Sequence, residues 1–244
     1  MTEQKNDFGV GSVEQNIIRM AVPMTVAQIL NLLYNLVDRM YIGHIPGIGA
    51  AALTGVGLFA PILMLINAFA MLSGSGGAPR AAIFMGKKDN ETAEKIMANC
   101  FSLILIFAVG LTILFSIFAP KLLILFGASD ATLPYAVEYA RIYIFGSIFV
   151  LIVLGMNLFI TTQGFSKISM MTTLIGAVIN VILDPIFIFV FDMGVRGAAI
   201  ATVLSQAVGA IWVFRFLTGE KTILKLKLSN MKLNPKVFGP CLAL

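Results

Sequence analysis

The chain has 244 residues, 59% of them hydrophobic and only 12% charged, and its mean hydropathy of +0.94 lies well above that of a water-soluble domain. Its net charge of +5 comes from basic residues scattered over short loops, and its two cysteines lack C-x-x-C spacing. This argues against a nucleic-acid partner, a disulfide scaffold and a thiolate metal centre. An all-α polytopic membrane protein without a cofactor is expected.

Residues 1–16 carry Glu3, Lys5, Asp7 and Glu14 and no basic stretch leading into a short apolar core. They read as a cytoplasmic N-terminal segment rather than a secretory signal, and Ser12 with Gln15 has the pattern of a capping box. Six apolar runs follow, at 17–42, 50–78, 93–119, 134–162, 168–191 and 197–217. Each reaches the roughly 20 residues that a membrane-spanning helix needs. Their mixed Leu, Ile, Phe, Ala and Gly content lacks period-2 alternation, which favours helices over a β-barrel. Short Gly- and Asp-containing turns join them, so residues 17–217 are expected to form one six-transmembrane-helix bundle of antiparallel neighbours.

Residues 218–236 include the alternation Leu224-Lys225-Leu226-Lys227-Leu228 and read as a basic amphipathic cytoplasmic connector lying on lipid headgroups. Residues 237–244 open a new apolar run, expected to be the start of a seventh span in a longer protein. With the N-terminus cytoplasmic, thirteen of the 17 Lys and Arg fall inside, and Arg39, Lys121, Arg141 and Arg196 fall outside. That bias satisfies the positive-inside rule and makes membrane lipids a partner.

Polar residues within the spans carry the functional signal. In the first, Gln28, Asn31, Asn35 and Asp38 fall at offsets of three and four, one stripe of a helix, which must face protein or water. The amides either glue helices together or meet a substrate. Asp38 is harder to explain as glue, because a carboxylate at membrane depth costs at least a few kcal/mol; the adjacent Arg39 snorkels or pairs. The run Ser73-Gly74-Ser75-Gly76-Gly77-Ala78-Pro79 lacks the phosphate-loop pattern and reads as close helix packing. Asn157 in the fourth span and Gln163 at its end touch a substrate or act as packing residues.

In the fifth span Asn180 and Asp184 project from one face. Pro185 brings no N–H and crowds the Val181 carbonyl, leaving polar backbone beside the acid. In the sixth, Ala198, Thr202 and Gln206 share a face with Ser205 beside it, and a hydroxyl there ordinarily bonds its own i−4 carbonyl, that of Ala198. By helical rise Asp184 and Thr202 lie about 8–10 Å, and Asp38 about 6 Å, below the same surface. Three helices thus offer oxygen groups at similar depth, a setting for a shared proton or for a hard cation such as Na⁺. No Ser-His-Asp, Cys-His or zinc-ligand constellation is present, so an enzyme is not expected.

Five motifs run in order along the chain: Asn35-Leu36-Val37-Asp38 with Tyr41-Ile42-Gly43; Gly127-Ala128 followed by Ala136 and Tyr139; Gln163-Gly164 with Lys167; Asn180-Val181-Ile182-Leu183-Asp184-Pro185 through Phe189; and Gly194-Val195-Arg196-Gly197 through Thr202. Together they resemble the multidrug and toxic compound extrusion transporters, the MATE family, and the Asp-Pro pair is similar to its prokaryotic branch of DinF-like and MepA-like members. The resemblance implies twelve helices in two lobes in a bacterial plasma membrane, with this chain as the N-terminal lobe and a C-terminal lobe missing. It implies inward Na⁺ or H⁺ exchanged for outward organic cations or amphipathic drug-like compounds by alternating access. It also implies a cation site of Asp38, Asn180, Asp184, Thr202 and the Ala198 carbonyl, and a bend point at Pro23. Pro185 is a second hinge candidate, and Asn31, Asn35, Asn157, Gln163 and Gln206 are candidate substrate contacts. Two alternatives stand beside it: a lipid-linked-oligosaccharide flippase of the same superfamily, and a noncatalytic membrane subunit in which Asp38 and Asp184 can be neutralised without consequence.

Overall fold

A computed structural model describes residues 12–242. Of the expected N-terminal segment, residues 1–11 lie outside the described residues, as do residues 243–244 of the expected seventh run. Ser12 caps the first helix by accepting the Gln15 N–H at 3.2 Å, one half of the capping box.

Six spans of membrane-crossing length are present among the described residues. They are α1 (Val13–Gly43), α2 (Gly49–Leu58) with α3 (Ala60–Gly86), α4 (Asn90–Leu125), α5 (Leu133–Thr162), α6 (Ser166–Pro185) and α7 (Gly194–Thr218), and a short α8 (Pro235–Leu242) follows. The second run, expected as one helix over 50–78, is instead two helices meeting at Phe59. Pro61 in the first turn of α3 has no N–H to give the Gly57 carbonyl, so the ladder is interrupted there. Phe59 is buried at the bend and sets its ring edge-on to Tyr139 and Tyr143 of α5, at centroid distances of 5.7 and 5.2 Å.

The turns use the glycines that punctuate the sequence. At the end of α5, Gly164 adopts φ +87° and donates to Thr161 O, while Phe165 N–H reaches back to Ile160 O. That bond pair is a Schellman motif, which requires a left-handed residue. Gly127 ends α4 in the same way, with φ +99°.

Helix α5 is the centre of the bundle, packed against α3, α4 and α7, while α1 lies at the edge against α6. Small residues permit the closest approach. A Cβ on Gly74 of α3 would lie 2.7 Å from the Gly155 carbonyl oxygen of α5, so the Ser73–Ala78 run is where two helix backbones touch. The outward faces carry exposed large apolar side chains such as Ile17, Leu32, Met64, Ile117 and Val190, the surface a hydrocarbon environment requires.

One end of the bundle carries the connections at 44–48, 126–132 and 191–193; the opposite end carries those at 87–89 and 163–165 and the connector after α7. Leu224 and Leu226 turn inward and are buried, while Lys221, Lys225 and Lys227 stay exposed. A two-residue period separates these faces, as in any extended strand.

Candidate functional site

Near the first end, α1, α6 and α7 bring together the acidic and amide side chains of the spans. Asp184 and Asn180 are fully buried on one face of α6, and Asn180 Nδ2 donates to Asp184 Oδ1 at 3.2 Å and to Thr202 Oγ1 of α7 at 3.4 Å. Asp38 of α1, 8% exposed, adds a second carboxyl whose charge interacts with that of Asp184. Thr202 donates to the Ala198 carbonyl at 3.0 Å, the i−4 bond that a hydroxyl on a helix ordinarily makes. Ser205 in turn donates to Thr202 O at 2.7 Å.

Among these buried groups, Asp38 Oδ1, Asp184 Oδ2 and Asn180 Oδ1 have no hydrogen-bond partner. All three are acceptors. A buried acceptor without a donor costs about 1–3 kcal/mol, more when charged, so the cluster is suited to bind something positive. Oxygen ligands of mixed carboxylate, amide and hydroxyl type fit a hard cation, and two adjoining carboxyls fit a proton.

Local backbone chemistry builds this geometry. Directly after Pro185 the helix widens into one π-helical turn, Ile186–Val190, in which Phe191 N–H reaches Ile186 O at 2.9 Å. Such turns relieve the lost ladder bond and recur at functional sites. Helix α7 then packs directly on that turn: a Cβ on Gly197 would meet the Phe187 carbonyl carbon at 2.6 Å. Tyr41 of α1 closes the other side, edge-on to Phe189 at 6.2 Å. At Pro23 α1 continues unbroken, and the Arg19 carbonyl, deprived of the proline's N–H, accepts the Ser166 hydroxyl of α6 at 3.3 Å.

A cavity of about 320 Å³ runs from this cluster along α1, α3, α5, α6 and α7. Asp38 and Thr202 are in its wall, as are Asn31, Asn35, Asn157 and Gln206, while Asn180 and Asp184 stand behind it. Asn35 Nδ2 donates to the carbonyl and the side-chain oxygen of Asn31, each at 2.7 Å. Asn157 Nδ2 donates to Ser169 O at 3.2 Å, leaving its own amide oxygen unpartnered. Gln163 is elsewhere. It is fully buried, outside the cavity wall, and its amide oxygen is occupied by the connector. Among the candidate substrate contacts it is thus the one that the structure sets apart from the cavity.

Among the cavity residues that the sequence reading missed are Tyr34, Asn67 and Tyr143. Tyr34 precedes Asp38 by four positions and so shares its stripe, and Asn67 is the one amide in the apolar first half of α3. Tyr143 had no signal of its own; it stacks on Tyr139 at 5.8 Å only because α5 is helical there.

Relatives share this architecture. The chain is 28% identical over 231 residues to the multidrug export protein MepA of Staphylococcus saprophyticus, covering 94% of this chain and 51% of that protein. It is 24% identical to MepA of Staphylococcus aureus strain MSSA476, covering 97% and 52%. A solved structure of a MOP superfamily transporter from Pyrococcus furiosus superposes with a TM-score of 0.87 at 29% identity, covering 95% of this chain and 51% of that one. The chain thus spans about half the length of the relatives it matches. The MatE family model matches residues 23–186, from Pro23 in α1 to the first residue after α6, and the chain belongs to that family of membrane transporters, which are not enzymes.

Proposed function

We propose that this chain is the N-terminal lobe of a cation-coupled antiporter that exports organic cations and amphipathic drug-like compounds by alternating access. Asp38 and Asp184, with Asn180, Thr202 and the Ala198 carbonyl, hold the coupling H⁺ or Na⁺. The observation that carries this reading is the trio of buried, unpartnered acceptor oxygens on Asp38, Asp184 and Asn180.

The coupling follows from electrostatics. With the acids ionised, Asp38 places negative charge in the cavity wall, which attracts an organic cation. When H⁺ or Na⁺ enters the cluster, that charge is neutralised and the cation's hold on the wall weakens. Binding one ligand thereby opposes the other, the reciprocal coupling that exchange requires. Asn180 spans α6 and α7, so occupancy of the site also biases how those helices pack, with Pro23 and Pro185 as the places where α1 and α6 bend. Asn31, Asn35, Asn67, Asn157 and Gln206 offer polar contacts to the transported compound. In this reading the pocket end faces outward, the connector end lies in the cytoplasm, and the membrane is the bacterial plasma membrane.

No Lys or Arg lines the cavity among the described residues. This favours cationic cargo over the phosphates that a lipid-linked-oligosaccharide flippase must hold. The test is efflux of a fluorescent organic cation from vesicles under a proton gradient and, separately, a sodium gradient. One of the two is expected to accelerate efflux; acceleration by neither overturns the proposal.

A further inference from the structure

Beyond α7, residues 219–234 run along the connector end with no neighbouring strand among the described residues; Leu226 N–H reaches back to Leu217 O at 2.9 Å, and buried side chains supply further acceptors. Gln163, at the end of α5, accepts with its amide oxygen from the Ile223 N–H at 2.9 Å and the Leu224 N–H at 2.8 Å, and the Thr222 hydroxyl lies 2.8 Å from that oxygen and 2.9 Å from its other acceptor, Leu224 O. Its own NH₂ is tied to Phe159 O at 3.1 Å, which fixes the amide's orientation. Glu94 of α4, 7% exposed, serves the next residues: one oxygen takes the Lys225 N–H at 3.0 Å and the other the Lys227 ammonium at 2.5 Å.

Asn99 closes the series by accepting the Asn234 N–H at 2.8 Å. At the next residue, Pro235, α8 begins, and it packs on α3 and α4 with Cys241 buried. The clamp also adjoins the cavity. Thr161, two residues before Gln163, and Asn157 one turn earlier are both in its wall.

We propose that Gln163 and Glu94 are positioning residues that hold the connector as a fixed part of this lobe. The clamp rests on the transporter reading in one respect only, that the lobe moves as a unit during transport. Neither residue touches the cavity, so neither contributes to binding the transported compound.

The test is amide hydrogen exchange on the lipid-reconstituted protein, paired with transport. Protection at residues 223–225 is expected in the unmodified chain. Gln163→Leu should speed exchange at Ile223 and Leu224 by about tenfold, the scale of one net hydrogen bond, and leave Lys225 unchanged. Glu94→Ala should release Lys225 alone, and Glu94→Gln, which keeps the acceptor, should keep its protection. Rapid exchange at 223–225 in the unmodified protein, or no change in Gln163→Leu, overturns the clamp. In transport, Gln163→Leu and Glu94→Ala should lower the maximal rate with the substrate Kd unchanged, and Glu94→Gln should keep it; an unchanged rate with residues 223–224 released overturns the positioning role. A chain without any gradient-driven efflux removes the function proposed above, and the exchange data still decide the clamp.

Discussion

The carboxyl groups of Asp38 on α1 and Asp184 on α6 meet within the bundle, and each keeps one oxygen without a donor. Two adjoining buried carboxylates repel unless a cation or a proton lies between them. Replacing one acid by its neutral isostere therefore removes a liability of the fold. Asp184→Asn is expected to insert normally and to unfold in detergent at the same temperature as the unmodified protein or higher. A lower unfolding temperature would mean that the Asp184 carboxylate is a structural partner of some other group.

Asn180 is the donor that joins Asp184 to Thr202. Asn180→Ala strips both oxygens of that N–H and is expected to lower stability by about 1–3 kcal/mol, read by denaturant unfolding in micelles. Asn180→Asp should be worse, since it adds a third carboxylate to the cluster.

Thr202 contributes an oxygen whose loss leaves the shape of the pocket intact. Thr202→Val should preserve the unfolding temperature to within a few degrees and weaken binding of the coupling ion by about tenfold, the worth of one ligand oxygen, whereas Thr202→Ser should bind as before. Equal ion affinities in the Val and Ser variants, measured by ion-dependent tryptophan fluorescence or titration calorimetry, would remove Thr202 from the site.

Gly197 lets α7 lie directly on the π-helical turn after Pro185. A methyl group there meets backbone atoms of Phe187 and Ile188 at 2.6–2.9 Å, and backbone cannot swing aside. Gly197→Ala is expected to destabilise the lobe by about 1–3 kcal/mol and to weaken ion binding by moving Thr202 away from Asn180. Gly57→Ala is the control: nothing lies within 4 Å of its Cβ, and helix propensity should make it neutral or stabilising by about 0.5–1 kcal/mol.

Much of this arrangement was legible in the sequence because it is local or nearly so. Asn180 and Asp184 meet through a four-residue spacing, and counting helical rise from the shared turn at 192–197 put Thr202 at their depth. What stayed hidden depends on distant partners. Nothing near Gln163 announces that residues 222–224 will occupy it, since the contact spans 59 to 61 positions, and the same holds for Glu94 with Lys225 and Lys227 across 131 and 133. The bend at Phe59 had a visible cause in Pro61, yet an unbroken apolar run gave no reason to divide the span. The π-helical turn had a visible cause in Pro185, but which carbonyls regain partners depends on how closely Gly197 lets α7 approach.

The central claim is that Asp38 and Asp184 hold the coupling cation. It is tested most directly by gradient-driven efflux of a fluorescent organic cation from vesicles carrying Asp38→Asn or Asp184→Asn in the full transporter, at matched expression. Both variants are predicted to remain in the membrane and to lose gradient-driven efflux. Efflux at the unmodified rate in either variant would contradict the claim.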